Sequence, residues 1–487
     1  MDTNVGQSTP FSPIRAWPSG RTIHNRLVKV ALYEHLASFL GGPPNERHIN
    51  LYAEWGKNNW GIIISGNVQV SSDHLTLGRD LVIPQLFNRE TLLPFRQLAN
   101  VMHGLPPDAS RSEGDGPLRN QTIALLQLNH AGRQSSNFIG GRLPFKPPLA
   151  PSAIRVGSNV NKGLITSLVH KVAFQVPRAM TLEDIHEVIS KFTRGAEFAC
   201  RAGFDGIQLH VAHGYLLSQF LSPKSNHRTE LDGFPLDDAL ELVRLIITFI
   251  RDKLPRRFVV SIKLNAADYA PDCKNQESLT HNEQRALEHL LEIARWGMVD
   301  IIEISGGDYE RPDFMSTAKS APSRGSRQAL FSRFSSQAHQ SLQKLQETTG
   351  KPVPLLLLTG GLRTSGLVSA VLEDSAADLV GIGRGSVTSP NLPLLLESRL
   401  KDRAKWNDAP FNPEPALPNP SILEHGPARW FWDFLPRISL LGAGVEMAWY
   451  NVAMKGIAEA SAKGTLDDYQ PDYGLGGLSV IMKMWFG

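Results

Sequence analysis

The stretch Gly206-Ile-Gln-Leu-His-Val-Ala-His-Gly-Tyr-Leu-Leu-Ser-Gln-Phe-Leu-Ser-Pro223 decides how the rest of the chain is interpreted. It begins as a short apolar strand, Ile207 to Val211, and then places His210, His213 and Tyr215 together where that strand ends. Two imidazoles can donate hydrogen bonds to a carbonyl oxygen, and a phenol can pass a proton. The stretch therefore predicts a strand that ends in a site for a carbonyl compound.

The composition argues against several classes of protein. The chain has 487 residues, of which 41% are hydrophobic and 20% charged, values typical of a globular protein. A net charge of +3 is too small to favour nucleic acid or a membrane surface as a partner. Cys200 and Cys273 are the two cysteines, which suits a reducing compartment. Because the N-terminus also lacks a signal-peptide pattern, we expect a cytoplasmic protein without nucleic-acid or membrane partners.

Short apolar runs alternate with segments of helical periodicity along most of the chain. The runs that predict strands are residues 26–32, 61–70, 122–129, 207–211, 258–264, 300–305, 354–358 and 378–382. Eight strand-then-helix units predict an α/β fold, a closed (β/α)8 TIM barrel over residues 1–404. An open doubly wound sheet is the alternative, but no Gly-x-Gly-x-x-Gly follows the first strand.

Three segments fall outside the repeating units. Residues 1–25 are rich in turn formers and predict a plug or hairpin before the barrel. Residues 131–178 hold many Gly, Pro, Ser and Asn, which predicts a capping segment after strand three. Residues 405–487 begin as a proline-rich linker and continue as a helical extension, which we expect to dock on the barrel or on a partner subunit.

The central motif resembles a known family. His210-x-x-His213-Gly-Tyr215-Leu-Leu-x-Gln-Phe-Leu-Ser-Pro is similar to the substrate motif of the Old Yellow Enzyme family, FMN-dependent NADH:flavin oxidoreductases that act as ene-reductases. The resemblance implies a fungal-type member in which NADH or NADPH reduces FMN and a small enone or enal reoxidises it. His210 and His213 would stabilise charge on the substrate oxygen, and Tyr215 would protonate the α-carbon. We expect no metal, since no third ligand stands at zinc spacing.

Two glycine motifs follow the last two predicted strands. They read Thr359-Gly-Gly-Leu-Arg and Gly381-Ile-Gly-Arg-Gly. Glycines let the backbone approach a phosphate closely, and loops seven and eight are the usual phosphate site of this fold. The pair resembles the FMN-phosphate site of the family, although two ordinary glycine turns are the alternative. The residues that the resemblance implies are Gly360, Gly361, Gly383 and Arg384.

Two polar residues end strands three and five. Gln127 opens Gln127-Leu-Asn-His-Ala-Gly-Arg133, and the resemblance places its amide, which both donates and accepts, against the flavin pyrimidine ring. Lys263 lies in an apolar strand, where a cation is costly unless it is paired. A reduced flavin, anionic at its N1 and O2 edge, would supply that partner.

The first two strands carry the departures from the family. Alignment of strand one places Ala31 and Tyr33 at the flavin, where Tyr33 stands in for a smaller threonine or cysteine. Asn67, at the end of strand two, aligns with another flavin contact, and the loop 229–235 lacks the family's usual turn. These differences leave two alternatives open: a flavin enzyme that runs desaturation or NADH oxidation, and a barrel with non-redox isomerase or lyase activity. A role in fungal secondary metabolism and a homodimer are further expectations.

Overall fold

A closed barrel of eight parallel strands forms the centre of the protein. The computed structural model describes residues 9–110, 121–157, 171–266, 281–305, 324–401, 411 and 439–487. The strands are β1 (Leu27–Lys29), β2 (Ile62–Gln69), β3 (Ile123–Asn129), β4 (Gly206–Val211), β5 (Val259–Asn265), β6 (Ile301–Ser305), β7 (Leu355–Thr359) and β8 (Leu379–Ile382). Because β1 pairs with both β8 and β2, the sheet closes on itself. The predicted (β/α)8 barrel is confirmed, and the open sheet is excluded.

Helices pack around the outside of this barrel. They are α1 (Glu46–Gly56), α2 (Arg89–Met102), α3 (Leu182–Arg201), α4 (Leu216–Leu221), α5 (Glu241–Lys253), α6 (His281–Arg295), α7 (Arg324–Thr349), α8 (Ser365–Glu373), α9 (Arg384–Thr388), α10 (Leu392–Lys401), α11 (Ser439–Lys463) and α12 (Gly477–Phe486). A capping box begins α3, where the Thr181 side chain accepts from the backbone amide of Asp184. A 3₁₀ turn occupies 236–238 ahead of α5.

Alternation along the strands separates two apolar layers. Inward-facing side chains such as Val28, Ile62 and Leu125 form a compact inner cluster, and Ile23 of the N-terminal segment belongs to the same cluster. The outward-facing neighbours form the larger cluster that packs against the helices. Successive strand residues point to opposite faces, so each strand supplies both layers. The interior of the barrel is a packed core at its lower levels rather than a channel.

A β-bulge in β2 changes which residues face inward. Ile64 pairs with Leu125 and Asn67 pairs with Gln127, so β2 contains one more residue than β3 between these two pairs. One extra residue reverses the inward and outward alternation beyond it. Ile62 and Ile64 therefore face inward before the bulge, whereas Asn67 does so after it. Gly66 lies in the bulge, and a Cβ there would stand 2.0 Å from an oxygen of Glu34.

The N-terminal residues close the lower end of the barrel, as predicted. Ile14–Arg15 and Thr22–Ile23 form an antiparallel hairpin. Its turn is anchored below β6, where the Ser19 amide donates to Asp300 at 2.7 Å.

In the capping segment, Leu149–Ala150 pairs with Arg178–Ala179. The open end of the barrel is therefore the one at the carboxyl ends of the strands.

The C-terminal extension docks on the barrel of its own chain. Helix α11 packs along α1, with the Ser461 hydroxyl donating to Glu54 and an ion pair between Arg47 and Glu459 at 3.3 Å. Helix α12 reaches the loop after β1, where Trp485 meets the His35 ring edge-on at 4.5 Å between centroids. The prediction of a docked helical extension holds for the described residues 439–487. Among the described helices, none is long and apolar enough to cross a membrane.

Candidate active site

The central motif brings its three functional side chains together above β4. His210 and His213 hydrogen-bond each other, with 2.9 Å between Nε2 of His210 and Nδ1 of His213. The Tyr215 ring lies edge-on to His210 at 4.7 Å between centroids. His210 and Tyr215 are buried. The structure therefore brings the three predicted side chains together, and it also links the two imidazoles directly, which the spacing alone does not indicate.

The backbone after β4 explains how His213 returns over the strand end. His213 has a φ of +58° and Gly214 a φ of +73°, so two successive residues adopt the left-handed region. This conformation is strained for a residue with a Cβ and occurs where surrounding contacts impose it. The Gln134 amide supplies one such contact by donating to the His213 carbonyl at 2.8 Å. The turn then leads into α4, which begins at Leu216.

Burial keeps the histidine pair neutral. It lowers the pKa of His210 well below its usual value, and the charges of His213 and Lys263 lower it further. The pKa of His213 falls to about 3, again chiefly through burial and then through Lys263. A neutral imidazole has one N–H and one lone pair. The pair can therefore both donate and accept, but it does not present a fixed positive charge at neutral pH.

A layer of polar side chains spans the barrel interior just below the histidines. Lys263 forms an ion pair with Glu303 at 2.9 Å, and both residues are buried. The Thr359 hydroxyl donates to Glu303 at 2.9 Å, and the Gln208 amide donates to it at 2.9 Å. Gln127 completes the layer by donating to Gln208 at 2.7 Å. We call these five residues the axial cluster; within it, Glu303 already supplies the protein partner that Lys263 requires.

The two glycine motifs meet at the same end of the barrel. Thr359 pairs with Gly381, so the loops after β7 and β8 leave the sheet side by side. Gly360 and Gly361 have φ values of +130° and +72°, a conformation that favours glycine. Gly383 precedes Arg384, whose guanidinium lies 3.7 Å from Glu446 of α11. The predicted phosphate residues are therefore neighbours, and the extension contributes a carboxylate beside them.

The residues predicted from the first two strands occupy different surroundings. Ala31 packs on the inner cluster at the upper end of β1. The Tyr33 hydroxyl turns toward the loop after β2, 3.3 Å from His35 Nδ1 and 3.5 Å from Asp80 Oδ2. Asn67 is hydrogen-bonded to His210 through its side-chain oxygen at 2.8 Å. Asn67 is thus part of the histidine site, a contact that the sequence did not indicate.

Several residues of the site were missed by the sequence interpretation. Glu303 stands in the apolar run Asp300-Ile-Ile-Glu-Ile-Ser, the same signal that singled out Lys263 in its own strand. The two register with each other across β5 and β6. Ser305 lies 3.1 Å from Nε2 of His213. Nothing in the local pattern around Ser305 distinguishes it from an ordinary strand-ending serine.

The donor set fits a flavin mononucleotide. A phosphate needs backbone that it can approach and a cation, which Gly360, Gly361 and the partly exposed Arg384 provide. An isoalloxazine ring has an amide-like edge and a flat aromatic body. Gln127 and Lys263 at the open end of the barrel offer donors for such an edge. A barrel with these two features defines a class, the flavin-dependent oxidoreductases of the (β/α)8 type.

Comparison with known proteins places the chain within that class. It belongs to the NADH:flavin oxidoreductase / NADH oxidase family, whose model matches residues 10–403. It is 31% identical to the NADH-dependent flavin oxidoreductase iliE of Hypocrea jecorina (strain QM6a), over 79% of this chain and 88% of the relative. It is 30% identical to the NADH-dependent flavin oxidoreductase iccE of Talaromyces variabilis, over 90% of this chain and 96% of the relative. The iliE of Neonectria sp. (strain DH2) is 33% identical, but this chain covers 45% of its length.

Solved structures show the same fold. Morphinone reductase superposes with a TM-score of 0.59 at 20% identity, over 85% of this chain and 94% of that one. An Old Yellow Enzyme homologue from Zymomonas mobilis gives a TM-score of 0.56 at 20% identity, over 82% and 94%. The protein is thus a fungal-type member of the Old Yellow Enzyme family. FMN is its cofactor and a nicotinamide nucleotide its hydride donor.

Proposed function

We propose that this enzyme uses NADH or NADPH to reduce the activated C=C bond of a small α,β-unsaturated carbonyl compound. The observation that carries the proposal is the grouping of His210, His213 and Tyr215 at the open end of the barrel, directly above the axial cluster. Neutral imidazoles and a phenol form a donor set for an oxygen that gains negative charge and for a carbon that needs a proton. A donor set of this kind suits alkene reduction.

Each side chain has a distinct task in this proposal. FMN, when bound, supplies the hydride for the β-carbon of the substrate. His213 and His210 hold the carbonyl oxygen, where negative charge grows as the alkene is reduced. Tyr215, held against His210 by the start of α4, delivers its proton to the α-carbon. The buried surroundings exclude water and strengthen these hydrogen bonds.

The cofactor contacts are also proposals. We assign the FMN phosphate to the glycine loops and Arg384, and the pyrimidine edge to Gln127 and Lys263. Ala31 would face the ring with its backbone, whereas Tyr33 shapes the wall near the loop after β1. Asn67 would lie next to the flavin while it contacts His210. In this assignment residues 1–404 form the FMN-binding barrel, and residues 405–487 form a C-terminal linker and helical extension.

We further propose that the substrate belongs to fungal secondary metabolism. Two relatives that are 31% and 30% identical over 79% and 90% of this chain are fungal NADH-dependent flavin oxidoreductases. Helix α12 lies against the loop after β1, so the extension can limit which substrates reach the site. A homodimer remains compatible with this arrangement.

Anaerobic half-reactions test the proposed function. NADH or NADPH should bleach the visible flavin absorption, and an added enone such as cyclohex-2-enone should restore it. In Tyr215→Phe, reoxidation by the enone should slow by about 10²- to 10⁴-fold, the usual contribution of a general acid. Reduction by the nucleotide in the same variant is the control and should be unchanged. A flavin that bleaches but is never reoxidised by an enone would favour the desaturating direction or NADH oxidation instead.

A further inference from the structure

The histidine pair belongs to a continuous chain of hydrogen bonds with a polar residue at each end. Asn67 Oδ1 lies 2.8 Å from Nδ1 of His210, whose Nε2 meets Nδ1 of His213 at 2.9 Å. Nε2 of His213 meets the Ser305 hydroxyl at 3.1 Å. Asn67, His210 and Ser305 are all buried.

The direction of this chain follows from Asn67. An amide oxygen only accepts, so Nδ1 of His210 carries the hydrogen. His210 is neutral, hence its Nε2 is a lone pair that accepts from Nδ1–H of His213. The remaining nitrogen of His213 then accepts from the Ser305 hydroxyl. A ligand placed between the two rings would therefore meet one donor, the Nδ1–H of His213, and one lone pair, on Nε2 of His210.

This resting arrangement does not suit a carbonyl oxygen. An oxygen that gains negative charge is stabilised by two N–H groups and is repelled by the lone pair on His210 Nε2. Rotation of the Asn67 amide by half a turn would present its NH₂ group to Nδ1 of His210. Nδ1 would then be the acceptor, and the hydrogen of His210 would lie on Nε2. The His213 and Ser305 half of the chain would not change.

We propose that Asn67 is a positioning residue whose amide acts as a tautomer switch, holding His210 as the Nδ1–H form without a ligand and as the Nε2–H form when a carbonyl oxygen binds. The inference rests on the proposed function, because it concerns the oxygen that the histidines receive. A primary amide is suited to this task because it supports either tautomer. No net charge is created: while the ligand enters, the proton at Nδ1 is released to water and another is taken up from water at Nε2.

The bulge in β2 places the Asn67 side chain inside the barrel. Without the bulge in β2, the alternation of the strand would turn Asn67 outward. The bulge is held on its outer side, where the Gly66 amide donates to Glu34 at 2.9 Å. Toward β3, the Ser65 hydroxyl accepts from the backbone N–H of Gln127 at 2.9 Å. These contacts bring the amide to the barrel axis at the level of His210.

Ring-nitrogen NMR of the FMN-loaded protein tests the switch directly. Histidine labelled with ¹⁵N distinguishes N–H from lone-pair nitrogens, and His210→Asn assigns the signals. We expect the oxidised wild type to show His210 as the Nδ1–H form. A saturating concentration of cyclohex-2-enone, without nucleotide, should convert it to the Nε2–H form. A wild type that is Nε2–H without ligand, or that stays Nδ1–H with enone, overturns the proposal.

Two variants of Asn67 separate the switch from a merely structural role. Asn67→Asp can only accept, so His210 should stay Nδ1–H with enone, and its pKa should rise. In this variant kcat for enone reduction should fall at least 10-fold. Asn67→Leu supports neither tautomer, so His210 should show a mixture and a smaller loss of kcat. Identical tautomer patterns in the two variants would refute the switch.

A matched control is available in the outer helices. Asn100 at the end of α2 is also buried, and its amide donates to the Pro107 and Ala109 carbonyls. Asn100→Asp should lower stability but leave the His210 tautomer and its response to enone as in wild type. Failure of the proposed function is a separate outcome. If no enone is reduced but enone binding still converts His210 to the Nε2–H form in the wild type and not in Asn67→Asp, the ene-reductase assignment fails and the role of Asn67 stands.

Discussion

Two strands of the barrel carry a buried lysine, and the protein holds the two lysines in opposite ways. Lys263 faces the axis and forms a 2.9 Å ion pair with Glu303. Lys29 faces outward into the layer under α1, with its ammonium 4.0 Å from the Trp55 ring centroid and 5.0 Å from that of Tyr52. Its hydrogen bond goes to the Ile64 carbonyl at 3.3 Å. Strand parity alone assigns one lysine to the site and the other to the scaffold.

The two surroundings also differ in charge. Burial lowers the pKa of Lys29 to about 7, against the opposing attraction of Glu34. Burial raises the pKa of Glu34, which accepts from the Tyr52 hydroxyl and from the Gly66 amide. We call Lys29, Glu34 and Tyr52 the outer cluster. Its lysine and its carboxyl group each have a pKa shifted toward the neutral form, whereas the axial cluster is built around a close ion pair. The comparison indicates that charge is kept on the axis, directly below the proposed substrate site.

The largest effect is expected from breaking the axial pair. Glu303→Ala leaves the Lys263 ammonium buried without its carboxylate, which should lower the free energy of unfolding by about 3–5 kcal/mol. Denaturant unfolding of the purified protein measures this. Glu303→Gln is the control, because it keeps an acceptor for Thr359 and should cost less than the alanine. A loss under about 1 kcal/mol in Glu303→Ala would mean that the axial pair is not a close ion pair in solution.

Lys29 should make the free energy of unfolding depend on pH. A base whose pKa is lowered on folding holds fewer protons in the folded state than in the unfolded one. Stability therefore rises with pH between the folded value, about 7, and the ordinary value of 10.5. Relative to Lys29→Met, the wild type should gain about 1.4 kcal/mol for each pH unit within this window.

Glu34 contributes a pH dependence of the opposite sign. Its pKa is raised on folding, so its contribution to the stability of the fold decreases as pH rises. Measuring the effect of Lys29→Met in a Glu34→Gln background separates the two groups. Unfolding curves collected from pH 7 to 10 provide the measurement, and exposed Lys351→Met serves as the matched control. Parallel stability curves for wild type and Lys29→Met would show that Lys29 stays charged in the fold.

The smallest effect is expected from the phenol of the outer cluster. Tyr52→Phe removes the O–H that donates to Glu34 and an acceptor of the Gly66 amide at 2.8 Å. Loss of a buried hydrogen-bond partner should cost about 1–2 kcal/mol, visible as a lower thermal midpoint. Tyr33→Phe is the control, because the hydroxyl of Tyr33 makes longer contacts and should cost less. Equal losses in both would show that the outer cluster adds nothing particular.

Much of the fold could be predicted because its signals are local. Each barrel strand appears as a short apolar run, and each glycine loop follows such a run directly. The motif around His210 is continuous in sequence, so its three side chains were found together. Asn67 was assigned to the correct strand, but its contact with His210 was not predicted. A bulge reverses which residues of that strand face inward, and the sequence does not show the bulge. Ser305 has no local signal at all, since its meaning lies in a histidine 92 positions away in the chain.

The sequence by itself determined the alternation of strands and helices, the closed barrel, the FMN class and the histidine motif at the open end. Those properties depend on periodicity and on contiguous motifs, which a single chain displays along its length. Only the tertiary structure decided that Lys263 is paired by Glu303, that Lys29 lies outside the barrel and that Asn67 contacts His210. Each of these depends on strand register and on one bulged residue, because a shift of one position sends a side chain to the opposite face of the sheet.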